Sequence, residues 1–314
     1  MTSRFPDPIK PPQEVSRERT LRKKSLIRAS LGGIALRTGV ILIELLGYTA
    51  FNSSVLLADA LASIMDVAST LFLIVCIRVA SRPPDKNHPF GHGRFEPLGG
   101  LQLGLLLAIL GGVVLFQQAN SLLNHEPKEP LHQFAWVIPV IAVCLLELGY
   151  RLTIIASKKH HSPALAADAW HYRLDALNSA VAALALGIGA IVPAWSVDLD
   201  FVGAMTIALL MIGVGIKAAK GNLDQLIDRA PDEEFFDIVR SAALRVEGVS
   251  ETEKVRIQQY GPDAHVDIDI EVDPKMTVDA AHRISQKVRA EIQKDWPAVR
   301  DVTVHIEPFY PNDH

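Results

Sequence analysis

Cysteine is scarce in this 314-residue chain: only Cys76 and Cys144 occur, and both fall inside apolar runs. That excludes a disulfide scaffold and a cysteine-rich zinc module, and leaves both thiols as small core residues. No H-E-x-x-H helix is present and no nucleophile stands beside a base in a recognisable motif, which argues against a membrane metalloenzyme. The first thirty residues lack the short apolar stretch and A-x-A site of a secretory signal; they are polar and rich in Pro and Arg. The middle of the chain lacks net charge. Residues 1–30 hold eight Lys/Arg against three Asp/Glu, and residues 221–314 hold eleven against twenty, within a total of −4. With 49% hydrophobic residues and a mean hydropathy of +0.21, this segregation excludes an ordinary cytosolic enzyme, a nucleic-acid binder and a disordered chain. It implies an integral membrane protein with one soluble domain: a basic tail over 1–30, a membrane domain over 31–220 and an acidic domain over 221–314.

A spanning helix needs about 20 mostly apolar residues. Six segments qualify, over roughly 31–51, 55–80, 98–120, 133–156, 163–192 and 199–220, with Pro193 and Trp195 marking the last turn. Lys and Arg set the orientation. They crowd the N-terminal tail, the 2–3 connection (Arg82, Lys86, Arg94) and the 4–5 connection (Lys158, Lys159), whereas the 3–4 loop has only Lys128. Six spans with both termini in the cytoplasm satisfy every connection, which suits a multi-pass protein of the cell (inner) membrane. In the tail, Asp232 can cap a helix to about Val246, ended by Gly248. Strands are expected over 251–259, 264–272 and 299–307, and a second helix over 277–295 capped by Thr277. The period-two alternation from His265 to Val272 leaves one strand face wet or liganded. Helix–strand–strand–helix–strand makes a small α+β sandwich.

Ionisable groups at bilayer depth cost about 2.5–3.5 kcal/mol each on insertion scales and need a partner, water or an ion. Span one has Arg37 and Glu44, span two Asp59 and Asp66, span four Glu147 and Arg151, span five Asp168, His171, Arg173 and Asp175. His171 and Asp175 are four residues apart and share a helix face; Asp59 and Asp66, seven apart, share another. If spans two and five pack together, Asp66, His171 and Asp175 converge. One imidazole and two carboxylates suit tetrahedral Zn²⁺ and are acceptable to Fe²⁺, Mn²⁺ or Co²⁺. The competing reading is an ion pair of Arg173 with Asp168 or Asp175. Because acids outnumber bases here, the ion site is favoured, while Glu147 and Arg151 read as a structural pair. In the 2–3 connection Asp85, His88 and His92 can ligate a metal or simply build a polar turn.

The stretch from Asn87 through His88-Pro89-Phe90-Gly91-His92-Gly93-Arg94 to Glu96 resembles the signature loop of the cation diffusion facilitator family. Residues 57–66, residues 167–175 and the tail resemble that family's second helix, fifth helix and ferredoxin-like, metallochaperone-like cytoplasmic domain. The resemblance runs from about residue 20 to 308 and implies a homodimeric antiporter that exports a divalent metal in exchange for protons. Zn²⁺ is the first expectation, with Fe²⁺, Mn²⁺, Co²⁺ or Cd²⁺ as alternatives, and the metal is substrate and regulator. It implies a transport site at Asp66, His171 and Asp175, with Ala62 where a fourth ligand usually stands; Asp59, on the same face, can compensate through water or by taking protons, or simply make a polar contact to a neighbouring helix. It further implies a loop site at Asp85, His88 and His92, and a tail site drawn from Glu253, Asp269, His282, His305 and Glu307. Arg94 and Asp228 match an interlocking charge pair. The departure at Ala62 motivates a second reading, a non-transporting membrane scaffold or metal sensor on the same fold.

Overall fold

The computed structural model describes residues 35–124, 128, 130–160, 163–261 and 263–310, with Leu21; the side chains of residues 70, 73, 156–160, 163–168 and 171 lie outside that description. Apart from Leu21, the basic tail also falls outside it. The chain forms two compact units, one of Lys24–Val75 with Gly99–Gly221, the other joining Cys76–Leu98 to Asn222–His314.

Six helices account for the apolar stretches: α1 over 35–51, α2 over Ser54–Ala80, α3 over Phe95–Leu123, α4 over Val137–His160, α5 over Pro163–Ile191 and α6 over Ser196–Leu226. A 3-10 turn at Pro193–Trp195 separates the last two, where proline can open a helix but cannot continue one. Among the described residues, five helices (α2 to α6) are long and apolar enough to cross a membrane. The described part of α1 is shorter than a span.

Two devices fix the packing of this unit. Small residues let α3 and α6 touch backbone to backbone, as lipid-embedded helices require when no hydrophobic effect drives them together. A Cβ on Gly104 would sit 2.6 Å from the Ala219 nitrogen, and one on Gly215 would sit 2.6 Å from the Gly104 carbonyl oxygen. The second device is Asp200 of α6, fully buried at 0% exposure. It accepts from Ser53 Oγ at 2.5 Å, from the Ser54 and Val55 amides at 2.6 and 3.1 Å, and from Lys128 Nζ at 2.7 Å. The carboxylate thus caps α2 and is paired with a cation, which keeps its burial tolerable.

In the other unit α7 (Glu233–Leu244) precedes a hairpin of β1 (Glu251–Tyr260) and β2 (Asp263–Val272), then α8 (Val278–Asp295) and β3 (Val299–Pro308). The order is that of a ferredoxin-like β-α-β-β-α-β unit without its first strand. The sheet runs β1-β2-β3, with β1 antiparallel to β2 and β3 parallel to β2 through the α8 crossover. The core packs Val239, Val266, Ile268, Ile270, Val288 and Ile292 between helices and sheet. Thr277 caps α8 by accepting from the Ala280 amide, whereas the Asp232 side chain makes no capping bond to α7. The connection between α2 and α3 belongs to this unit and is seated on it. Arg94 bonds Asp228 at 2.9 Å, and Arg300 donates to Asp263 at 2.6 Å and to the Arg82 carbonyl at 3.4 Å.

Candidate metal-transport site

Asp66 of α2 and Asp175 of α5 line one cavity between the membrane helices, together with Ala62, Asn178 and Met211. Their carboxylates lie within hydrogen-bonding reach of each other. Helical spacing explains the convergence: Ala62 and Asp66 are one turn apart, and Asp175 and Asn178 are three residues apart. His171 lies on α5, and its side chain is outside the described ones, as is that of Asp168. Ala62 is 3% exposed and brings no donor to the wall. Asn178, which the sequence reading passed over, brings an amide at the spacing that reading used for charged residues only.

The competing reading pairs Arg173 with Asp168 or Asp175; at Asp175 the structure places Arg37 instead. The Arg37 guanidinium of α1 donates from Nε to Asp175 Oδ2 at 2.9 Å, with both groups buried, and lies 4.5 Å from the Tyr172 ring centroid. Arg173 turns to Glu147 at 3.2 Å and stacks on Tyr150. Glu147 also holds Arg151 at 2.9 Å, the expected pair one turn apart. Asp59 is not part of the cavity wall. It is buried, at 1% exposure, within reach of Glu44 of α1. Two turns separate it from Asp66, so a shared helix face does not bring both acids to one ion.

The loop residues Asp85, His88 and His92 do converge, each offering a ligand atom within 4.8 Å of the others. The polar turn and the metal cluster are the same structure. Asp85 Oδ1 accepts from the Asn87 and His88 amides at 2.9 and 2.8 Å, and Gly91 adopts a φ of 87° that favours glycine. His88 Nδ1 and His92 Nε2 face the two Asp85 oxygens at 3.4 and 3.5 Å. The His88 amide, then that of Asn87, holds the Asp85 carboxyl below the ordinary carboxylate range, so it stays an anion ready for a cation. His92 is buried, and its Nδ1 has no hydrogen-bond partner among the described residues.

In the tail, strand register does the assembling. Asp269 pairs with His305 across β2 and β3, and Glu307 follows two residues later on the same face. His305 Nδ1 stands 3.1 Å from Glu307 and 3.7 Å from Asp269. Glu253 sits where the β1 register shifts between Thr252 and Val255 and reaches Glu307, whose carboxyl it pushes above the ordinary value. His282 is exposed on α8 and is not in this group.

Residues 31–227 match the family described as cation efflux transmembrane domain, and residues 231–309 match the cation efflux protein cytoplasmic domain. The manganese efflux system protein MneP of Bacillus subtilis is 27% identical over 94% of this chain and 98% of its own length. An uncharacterized transporter of Methanocaldococcus jannaschii is 29% identical over 86% of this chain and 93% of its own. Metal tolerance protein C1 of Arabidopsis thaliana is 30% identical over 82% of this chain, which spans 57% of that longer protein. A solved MamM CTD variant is 29% identical over 25% of this chain and 95% of its own, with a TM-score of 0.24.

Proposed function

The chain belongs to the cation diffusion facilitator family, and from that premise we propose that it exports a divalent metal through the cavity between α2 and α5, as a homodimer and in exchange for protons. Members of this family carry cations rather than transform them, so the chain is a transporter and not an enzyme. The observation that carries the reading is the meeting of Asp66 and Asp175, from two different helices, in one cavity.

The donors favour a metal class. Two carboxylates and the Asn178 amide oxygen are hard ligands, and Ala62 withholds the fourth side chain that tetrahedral Zn²⁺ would take. Two relatives are named for manganese efflux. Mn²⁺ and Fe²⁺ therefore rank ahead of Zn²⁺. His171, one turn before Asp175, supplies the nitrogen donor in this reading. It also carries the proton, since imidazole titrates nearest physiological pH and must be neutral to bind metal. Arg37 is the resident cation that the metal displaces from Asp175. Rocking of the helices then exposes the ion on the other face, where protons compete for the ligands. The distribution of Lys and Arg supports cytoplasmic termini in an inner membrane. Metal at the loop and tail donors would regulate, by relieving repulsion between the acidic tails of a dimer.

The test is metal uptake into proteoliposomes under a pH gradient, across Mn²⁺, Fe²⁺, Co²⁺, Zn²⁺ and Cd²⁺. Mn²⁺ and Fe²⁺ should move fastest, and His171→Ala and Asp66→Asn should each abolish uptake. Undiminished uptake in either variant removes the site. If wild-type protein binds metal through its tail yet moves none, the scaffold or sensor reading, which Ala62 favours, takes its place.

A further inference from the structure

Glu44 and Asp59 form a second polar centre that the transport cavity does not use. Glu44 is 0% exposed and Asp59 1%, and their carboxylates lie within hydrogen-bonding reach of each other. Ser63 reaches Glu44, and Ser179 reaches Asp59 while its Oγ lies 3.5 Å from Glu44 Oε1. Ionised carboxylates cannot donate to one another. Accordingly, Glu44 Oε2 and Asp59 Oδ2 have no hydrogen-bond partner among the described residues. Two adjacent acids with unpartnered oxygens, enclosed in apolar surroundings, call for a cation or a shared proton.

The position of this centre is informative. Asp59 precedes Asp66 by seven residues, about 10 Å along α2 at 1.5 Å per residue, towards the α1–α2 turn. Ser179 lies one turn beyond Asp175 on α5, and Glu44 two turns beyond Arg37 on α1. The same three helices thus build two levels. The level of Asp66 and Asp175 holds its own cation, Arg37. The level of Glu44 and Asp59 holds none among the described residues, and every donor there is oxygen.

We propose that Glu44, Asp59, Ser63 and Ser179 form a second cation site, stacked on the metal cavity along the α1–α2–α5 seam, and that it takes Na⁺. Carboxylate and hydroxyl oxygens suit a hard ion and offer nothing a soft metal prefers. Charge selects a monovalent one. Among the described residues, the groups facing the seam are one guanidinium, Arg37, and four carboxyls, Glu44, Asp59, Asp66 and Asp175; when all four are ionised and the imidazole is neutral, a divalent metal at the first level leaves one negative charge, which a single Na⁺ at the second cancels. Only this count rests on the transport reading, since Na⁺ binding is measured without metal.

Full-length protein in nanodiscs of zwitterionic lipid, freed of metal by chelator, is titrated with radioactive Na⁺ at fixed pH, with N-methylglucamine as balancing cation. Wild type should bind Na⁺ saturably, one per chain. Glu44→Gln and Asp59→Asn should abolish binding, Ser179→Ala should weaken it roughly tenfold, and Asp66→Asn should leave it within about twofold. Monodisperse elution and a retained cooperative thermal unfolding transition show that the Glu44 and Asp59 variants are folded. Absent Na⁺ binding in wild type, as a shared proton would give, overturns the site, as does binding that survives Glu44→Gln or a preference for Mn²⁺ there. Na⁺ binding in a protein that moves no metal would sink the transport reading and leave this site standing.

Discussion

The tail donors and the membrane donors face opposite surroundings, and the difference governs how each can hold a metal. His305 is 65% exposed and Glu307 33%; water solvates both, and no Lys or Arg bonds to them among the described residues. Such a group can stand open, and its affinity is close to the sum of its donors. Asp175 is 5% exposed and cannot stand open in the same way. Arg37 meets it at 2.9 Å, so in the proposed transport a metal entering the cavity competes with a cation already tethered there. Affinity at the membrane level is therefore a difference between two occupants.

The largest effect should follow from removing the shared carboxylate. Asp175→Asn deletes a proposed metal donor and breaks the buried ion pair with Arg37, a change that costs about 3–5 kcal/mol where pairs are fully buried. Thermal unfolding of the detergent-solubilised protein should show that loss, and metal uptake should vanish with it. Asp269→Asn in the tail should leave unfolding unchanged and weaken metal binding about tenfold, as the loss of one exposed ligand does. Equal destabilisation by the two variants would erase the distinction.

A sharper and smaller effect separates competition from simple structure. Arg37→Gln keeps a donor near Asp175 but removes its charge. If Arg37 and the metal contend for Asp175, Mn²⁺ should bind the cavity about tenfold more tightly in this variant, read by titration of the purified protein. Weaker or unchanged binding would make Arg37 a structural strut.

What the sequence made legible follows the distance over which each group acts. Helix and strand boundaries came within a few residues, because apolar runs, the period-two alternation of β2 and the Thr277 cap are all local signals. The Asp85–His88–His92 turn and the Glu147–Arg151 pair were legible for the same reason. Arg37 with Asp175 joins residues 138 positions apart, and Asp200 with Ser53 joins residues 147 apart; no spacing rule reaches that far. Ionic bookkeeping shows that acids outnumber bases without showing which base meets which acid, so Glu147 does not figure as the partner of Arg173. Of the two roles open to Asp59, the polar contact to a neighbouring helix is the one seen, with Glu44 of α1. Asn178 was missed because only ionisable groups were weighed, and His282 was grouped by resemblance although α8 leaves it outside the cluster.

The smallest effect tests the open character of the tail group through pH. The hydrogen bond with Glu253, then burial, then the charge of Glu253 raise the Glu307 carboxyl above its ordinary value. A raised acid favours the protonated form in the folded state, so in metal-free protein its contribution to stability is present at low pH and fades as pH rises through the raised value. Metal demands the opposite protonation state, so tail affinity should climb over that same interval. Glu253→Gln removes the repelling charge and lets Glu307 ionise earlier. In an Asp66→Asn background, which silences the cavity, the onset of metal binding should move to lower pH, with affinity at mildly acidic pH gaining about threefold, the scale of an exposed charge pair. If Glu253 is instead a ligand, its loss should weaken binding at every pH, and a titration at two pH values tells the two roles apart.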